Sequence, residues 1–404
     1  MIELEKLLIR KRPMRRNKMK KNLSICFILV LFIFYVFTGF SYVSAMQNNM
    51  DIQSKSAILM DYETGTILYE KNPHEKMPIA SLNKIMTILL AIEAINDGKI
   101  SLNDTVQISE YAASMGGSQV FLHAGEVLTV DSLLKAIVVA SGNDASVAIA
   151  EKIAGSHEAF VSRMNLRAKE LGMRNTNFAN ATGLPAENNY STAYDVALMS
   201  QELLKHPLFF RWSTIWLDTL DESSNKTELT NTNRLIRFYD GADGLKTGST
   251  QEAGYCLSAT AKRGNMRLLA VVLNAPSSKV RFSESIKMLD YGFANYEIIH
   301  VLKKDQIIKD NIFVSGGKEE RINGLASKNV NFLIRSGESK EFEMEVSLND
   351  KINAPLKKGD KIGTLVLTRE GQVLETIDIV SDRDVGRANV FDYFKKIFYN
   401  WTRK

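Results

Sequence analysis

Three short strings constrain this chain more than any other feature: Ser81-Leu82-Asn83-Lys84, Ser141-Gly142-Asn143 and Lys246-Thr247-Gly248. Each is commonplace alone; a serine three residues ahead of a lysine arises by chance about once or twice in a chain of this length. Their contexts carry the information. Ile85, Leu89, Ile92 and Ile95 recur at helical spacing and the pattern stops at Gly98, so the first string opens a helix and sets Lys84 one turn from Ser81. Gly142 interrupts an apolar helical stretch over 131–154, which predicts the second string on a loop between two helices. The third lies within 243–275, where two apolar runs flank Arg263-Gly264-Asn265 and read as adjacent strands joined by a turn. If the strings act together, a helix start, an interhelical loop and a strand meet at one pocket.

The residue types suit acyl transfer. A serine hydroxyl is too weakly acidic to attack a carbonyl unaided and needs a base within hydrogen-bond reach. Lys84 is that base for Ser81 if it is neutral, and burial together with a second cation lowers a lysine pKa; Lys246 is the candidate second cation. Ser141 is placed to relay a proton to the departing amine, in contact with Lys84 and Lys246. Asn143 carries a donor and an acceptor suited to a substrate amide. Thr247 belongs to the strand walling the cleft, Gly248 admits close approach of a substrate backbone, and the N–H groups of Ser249 and Ser81 form an oxyanion hole. The plain alternatives are an N-cap for Ser81 and an ordinary polar loop for Ser141-Gly142-Asn143. A phosphate-binding loop is excluded, because Leu245 stands where glycine is required.

The 404 residues allow more than one domain. A hairpin over 56–70 turns at Glu63-Thr64-Gly65-Thr66, 155–206 is helix-rich with a Gly183-Leu184-Pro185 turn, and the mixture with the 243–275 strands points to an α+β catalytic domain. Beyond about residue 300 the texture changes. Strands at 342–346, 361–367 and 376–380, separated by turn signals, predict a small all-β sandwich. Val390, Phe391, Phe394, Ile397, Phe398 and Trp401 then share one face of a helix whose other face carries Lys395, Lys396 and Arg403, the profile of an amphipathic helix at a membrane surface.

The net charge of +5 comes from the first 45 residues, which hold nine Lys/Arg against two Glu. The remainder is slightly acidic, so no nucleic-acid partner is expected. A basic stretch, an uncharged apolar run from Leu23 to Phe40 and Val43-Ser44-Ala45 read as a signal peptide cut after Ala45, with an uncleaved anchor as the alternative. The expected domains are therefore 1–45 signal peptide, 46–298 catalytic, 299–382 β-sandwich and 383–404 anchor helix. Cys256 is left as a lone thiol in an apolar strand, a small buried hydrophobe. The five histidines show no ligand spacing, so no metal and no cofactor is expected.

With these residues in view, the chain resembles the low-molecular-mass penicillin-binding proteins of the D-alanyl-D-alanine carboxypeptidase family. Pro78-Ile79-Ala80-Ser81-Leu82-Asn83-Lys84-Ile85-Met86-Thr87 resembles the nucleophile segment of that family. Ser141-Gly142-Asn143-Asp144-Ala145 resembles its second motif, and Asp243-Gly244-Leu245-Lys246-Thr247-Gly248 with Ala253-Gly254-Tyr255 its third. The resemblance runs from about residue 52 to 297. It implies a penicillin-binding-protein/β-lactamase-like transpeptidase fold and a peptidoglycan pentapeptide ending in D-Ala-D-Ala as substrate. It also implies β-lactam antibiotics as inhibitors, and secretion to the extracytoplasmic face of the cytoplasmic membrane. Arg281 then matches an arginine that helps hold the terminal carboxylate, with Arg234 a second candidate; Asn189 stands where many relatives have histidine and is assigned no role. Glycine in the middle of the second motif favours a carboxypeptidase over a β-lactamase. A β-lactamase and a non-catalytic muropeptide-binding scaffold remain the alternatives.

Overall fold

A computed structural model describes residues Met50–Ser224 and Lys226–Thr402. The signal peptide expected at 1–45 lies outside the described residues. The catalytic region is organised by a five-stranded antiparallel sheet in the order Ile67–Lys71, Ser56–Asp61, Met266–Ala275, Gly254–Arg263, Ala242–Thr250. Its central strands are apolar on both faces because both are covered. Ile58, Met60, Leu269, Val271 and Leu273 point into the main core, while Leu59 and Leu268 pack on Gly292 of the helix Ser278–Asn295. That alternation is the period-two rule of a strand. The first strand of the region pairs with one of its last (Ser56↔Leu273 to Asp61↔Leu268), so the sheet closes only once distant parts of the chain meet.

Against the main core lies the helix Asn83–Asn96. It is buried nearly all round, through Ile85, Met86, Ile88, Leu89, Ala91 and Ile92, as a central helix must be. The helices Asn143–Ala154, His157–Glu170 and Ala193–Leu204 contribute to the same core. The hairpin over 56–70 forms as expected. The 131–154 stretch divides as read, but the break is sharper. Helix Val130–Lys135 passes into a π-helical turn, Ala136–Ala140, and Ser141 takes a left-handed φ of 66°. Asn143 is already the first residue of the next helix rather than part of a loop. Two further short hairpins, Thr105–Gln107 with Val127–Thr129 and Leu217–Leu220 with Thr227–Thr230, are too short to show alternation in the sequence.

The β-region has a five-stranded antiparallel sheet, ordered Ile307–Phe313, Arg321–Ala326, Gln372–Ser381, Lys361–Arg369, Glu343–Leu348. A two-stranded ladder, Tyr296–Leu302 with Val330–Arg335, shares its core of Leu302, Ile312, Ile322, Val330, Leu365, Ile377 and Ile379. This is the small all-β module expected, with strands before residue 342 that the pattern did not reveal. A terminal helix, Val390–Thr402, leaves Phe391 78% and Trp401 77% exposed. Among the described residues no helix is long and apolar enough to cross a membrane.

Candidate active site

Ser81 does not cap a helix. It sits in a 3₁₀ turn, Ala80–Leu82, that runs into Asn83–Asn96, and no side-chain cap bond forms at either start. Ala80 is held at a φ of 48°, a left-handed conformation that a side chain disfavours. Two glycines hold this turn. A Cβ on Gly248 would lie 2.9 Å from both Ile79 O and Ser81 N, so the absent side chain admits the nucleophile turn itself. A Cβ on Gly183, whose φ is 84°, would overlap the Ala80 carbonyl oxygen.

Lys84 is fully buried, with Nζ 2.9 Å from Ser81 Oγ, 2.6 Å from Asn143 Oδ1 and 2.8 Å from the Thr182 carbonyl oxygen. Burial drives its pKa well below the ordinary lysine value, and the charge of Lys246 pushes the same way against a smaller opposing effect of Asp144. A neutral amine has two N–H bonds and one lone pair. Asn143 Oδ1 and the Thr182 carbonyl only accept, so they take the two N–H bonds and leave the lone pair facing Ser81. Lys246 is itself buried, and desolvation together with Arg281 lowers its pKa to about 7.

The strand Ala242–Thr250 presents the rest of the third motif. Thr247 Oγ1 donates to Thr232 Oγ1 at 2.8 Å, and Lys246 Nζ donates to its neighbour's carbonyl, Thr247 O, at 3.2 Å. Ser249 is exposed and follows Gly248, the residue that packs on Ser81 N. Arg281 is buried behind this strand and donates to Gly248 O at 3.1 Å and Cys256 O at 3.3 Å, with its guanidinium over the rings of Tyr255 and Phe282. Arg234 is exposed at the head of the short helix Leu235–Phe238, close enough for its charge to be felt at Arg281. Cys256 is buried, and burial pushes its thiol up to about 11.

The second motif departs from expectation in its contacts. Among the described residues the buried Ser141 Oγ has no hydrogen-bond partner, so the anticipated bonds to Lys84 and Lys246 are not formed. Ser141 is the left-handed residue between the π-helical turn Ala136–Ala140 and the helix Asn143–Ala154. Asn143 turns its carboxamide inward: Oδ1 accepts from Lys84, and Nδ2 donates to Gly116 O at 2.6 Å. Asp144, next to it, gathers the amides of Val120, Leu122 and Ala145. Sequence reasoning did not find Thr182, whose contribution is a main-chain carbonyl and leaves no residue-type signal. Glu93, Glu202 and His206 converge elsewhere, but Arg167 donates to both carboxylates, at 2.8 and 3.0 Å.

Residues 43–277 match the family model of D-alanyl-D-alanine carboxypeptidases, and residues 296–387 match the C-terminal domain of penicillin-binding protein 5. The chain is 44% identical over 388 residues to D-alanyl-D-alanine carboxypeptidase DacF of Bacillus subtilis, covering 95% of this chain and 100% of that one. Penicillin-binding protein 5 of Haemophilus influenzae is 34% identical with a TM-score of 0.71, over 83% of this chain and 98% of that structure. Penicillin-binding protein D2 of Listeria monocytogenes, in its ampicillin-bound form, is 33% identical with a TM-score of 0.54. That match covers 61% of this chain and 100% of that structure.

Proposed function

Since the chain belongs to the D-alanyl-D-alanine carboxypeptidase family of low-molecular-mass penicillin-binding proteins, we propose that Ser81 is its acylated nucleophile and Lys84 the base. The substrate is a peptidoglycan stem pentapeptide ending in D-Ala-D-Ala. Ser81 Oγ bonds to the carbonyl carbon of the penultimate D-Ala as Lys84 Nζ takes the hydroxyl proton. The oxyanion rests on the N–H groups of Ser81 and Ser249, and Lys246, Thr247 and Arg281 favour the terminal carboxylate on this side of the cleft. The C–N bond then breaks. The leaving D-Ala amine takes the proton that Lys84 accepted, and water hydrolyses the ester to free the tetrapeptide and Ser81.

The observation that carries this reading is a buried lysine amine 2.9 Å from one serine hydroxyl, with two pure acceptors as its other partners. β-Lactams, which offer a strained amide to the same hydroxyl, form a slowly released ester there. The protein acts outside the cytoplasm, delivered by its signal peptide and held to the membrane surface by the helix Val390–Thr402, whose exposed aromatic residues support that placement. Intact-mass spectrometry after incubation with penicillin, followed by peptide mapping, tests the central claim. One adduct on Ser81, absent in Ser81→Ala, together with D-Ala release from a pentapeptide, is the expected result. An adduct elsewhere refutes it, and rapid penicillin turnover favours a β-lactamase instead.

A further inference from the structure

The base is supported by a loop that none of the three motifs includes. Thr182 O takes one Lys84 N–H, and the next residue, Gly183, bears on the Ala80 carbonyl beside the nucleophile. One side chain ties both to the same place. Asn180 Oδ1 accepts from Thr182 N at 3.1 Å, Thr182 Oγ1 at 3.0 Å and Gly183 N at 2.7 Å, while its Nδ2 donates to Leu184 O at 2.9 Å. The knot is fastened to the catalytic helix from outside: Asn83 Nδ2 donates to Asn180 O at 3.2 Å and Thr87 Oγ1 to Ala181 O at 2.8 Å.

On the reading of Ser81 and Lys84 given above, we infer that Asn180 is the positioning residue of the general base. Its carboxamide knots residues 180–184 so that one carbonyl orients the Lys84 amine while the adjacent glycine holds the nucleophile turn. Asn180 touches neither reacting atom. Its effect passes through Thr182 and Gly183, which explains how a main-chain carbonyl on a loop keeps a fixed direction. Without the knot the carbonyl swings away, one buried N–H of the amine loses its acceptor, and the lone pair is no longer confined to the Ser81 direction.

The test uses the full chain in detergent and the second-order rate of acylation by a fluorescent penicillin across the pH range in which Lys84 titrates. Asn180→Ala is expected to lower that rate about tenfold or more, the kinetic equivalent of one unsatisfied buried group. Asn180→Asp keeps the oxygen that accepts from Thr182 and Gly183, gives up the donor to Leu184 O and adds a charge. Its plateau should stay within about threefold of wild type while its acid limb moves to higher pH, because an added anion favours the ammonium. Asn165→Ala serves as the control. Asn165 tethers the same loop at Phe178 without touching residues 180–184, so it should lower the melting temperature and leave the acid limb in place. A wild-type rate in Asn180→Ala, or an unmoved acid limb in Asn180→Asp, overturns the inference while leaving Ser81 as nucleophile. If Asn180→Ala does not fold, the limb of Asn180→Asp decides alone. Wild-type protein that penicillin fails to label overturns the parent reading and this one together.

Discussion

Gly183 lies so close to Ala80 that a single methyl group on it would overlap the Ala80 carbonyl oxygen. Its φ of 84° adds a second reason for glycine, since a side chain is strained there. Gly183→Ala is therefore expected to cost about 2–4 kcal/mol of stability. It should also slow penicillin acylation of the molecules that remain folded, because the turn that must move carries Ser81. Denaturant melts paired with acylation rates separate the two effects; a variant acylated at the wild-type rate would mean that the turn is not held by this contact.

Removing the amine tests the base directly. Lys84→Met should lower the acylation rate by about a hundredfold to ten-thousandfold, the usual range for loss of a positioned base. Fluorescent-penicillin labelling over time measures it. The near-isosteric apolar side chain keeps the helix filled, so circular dichroism should stay as in wild type.

The second lysine sets the pH dependence of the first. Its charge lowers the Lys84 pKa, so Lys246→Met should raise that pKa and move the acid limb of acylation to higher pH. An unmoved limb would mean that burial alone keeps Lys84 neutral.

The same substitution has a stability consequence of definite sign. Lys246 falls from 10.5 in the unfolded chain to about 7 when folded. Between those values the unfolded chain binds a proton that the folded chain does not, so this residue makes wild-type stability rise with pH over that window. Lys246→Met should then be more stable than wild type near pH 7, with the gain fading toward pH 10.5. Thermal melts of both proteins at matched pH read the difference.

Behind the third motif, Arg267 grips Asp243 with two hydrogen bonds of 2.6 and 2.7 Å. The pair anchors the start of the strand that carries Lys246. Asp243→Ala leaves a half-buried guanidinium without its partner and should cost about 2 kcal/mol. Replacing both residues by apolar ones should recover much of that in a denaturant melt.

The three motifs and their local settings were legible because residue type carries them. Ser81 to Lys84 is one helical turn, Gly142 interrupts an apolar helix, and Lys246 lies in a strand, each readable from periodicity and from glycine. The lowered pKa of Lys84 was foreseeable for the same reason, given burial and a second cation. The β-region was legible only where its strands alternate cleanly, at 343–348, 361–369 and 372–381. Earlier strands such as Ile307–Phe313, with residues such as Lys309, Asp310 and Asn311, mix their faces and hid from a period-two reading.

What the amino-acid order determined by itself is the chemistry available: a serine, an amine one turn away, a second amine on a strand and a loop serine. Local spacing limits which of these share a helix face, and no distant contact is needed to read it. Tertiary structure decided how that chemistry is aimed. Asn143 faces the base instead of the cleft, Gly248 makes room for the nucleophile turn, and Thr182 offers a carbonyl that any residue type would carry. Those three contacts join segments remote in sequence, as does the pairing of the first strand with Met266–Ala275, and they sit in a core that buries Lys84. Main-chain atoms have no residue-specific signature, so their part in the site is decided by packing alone.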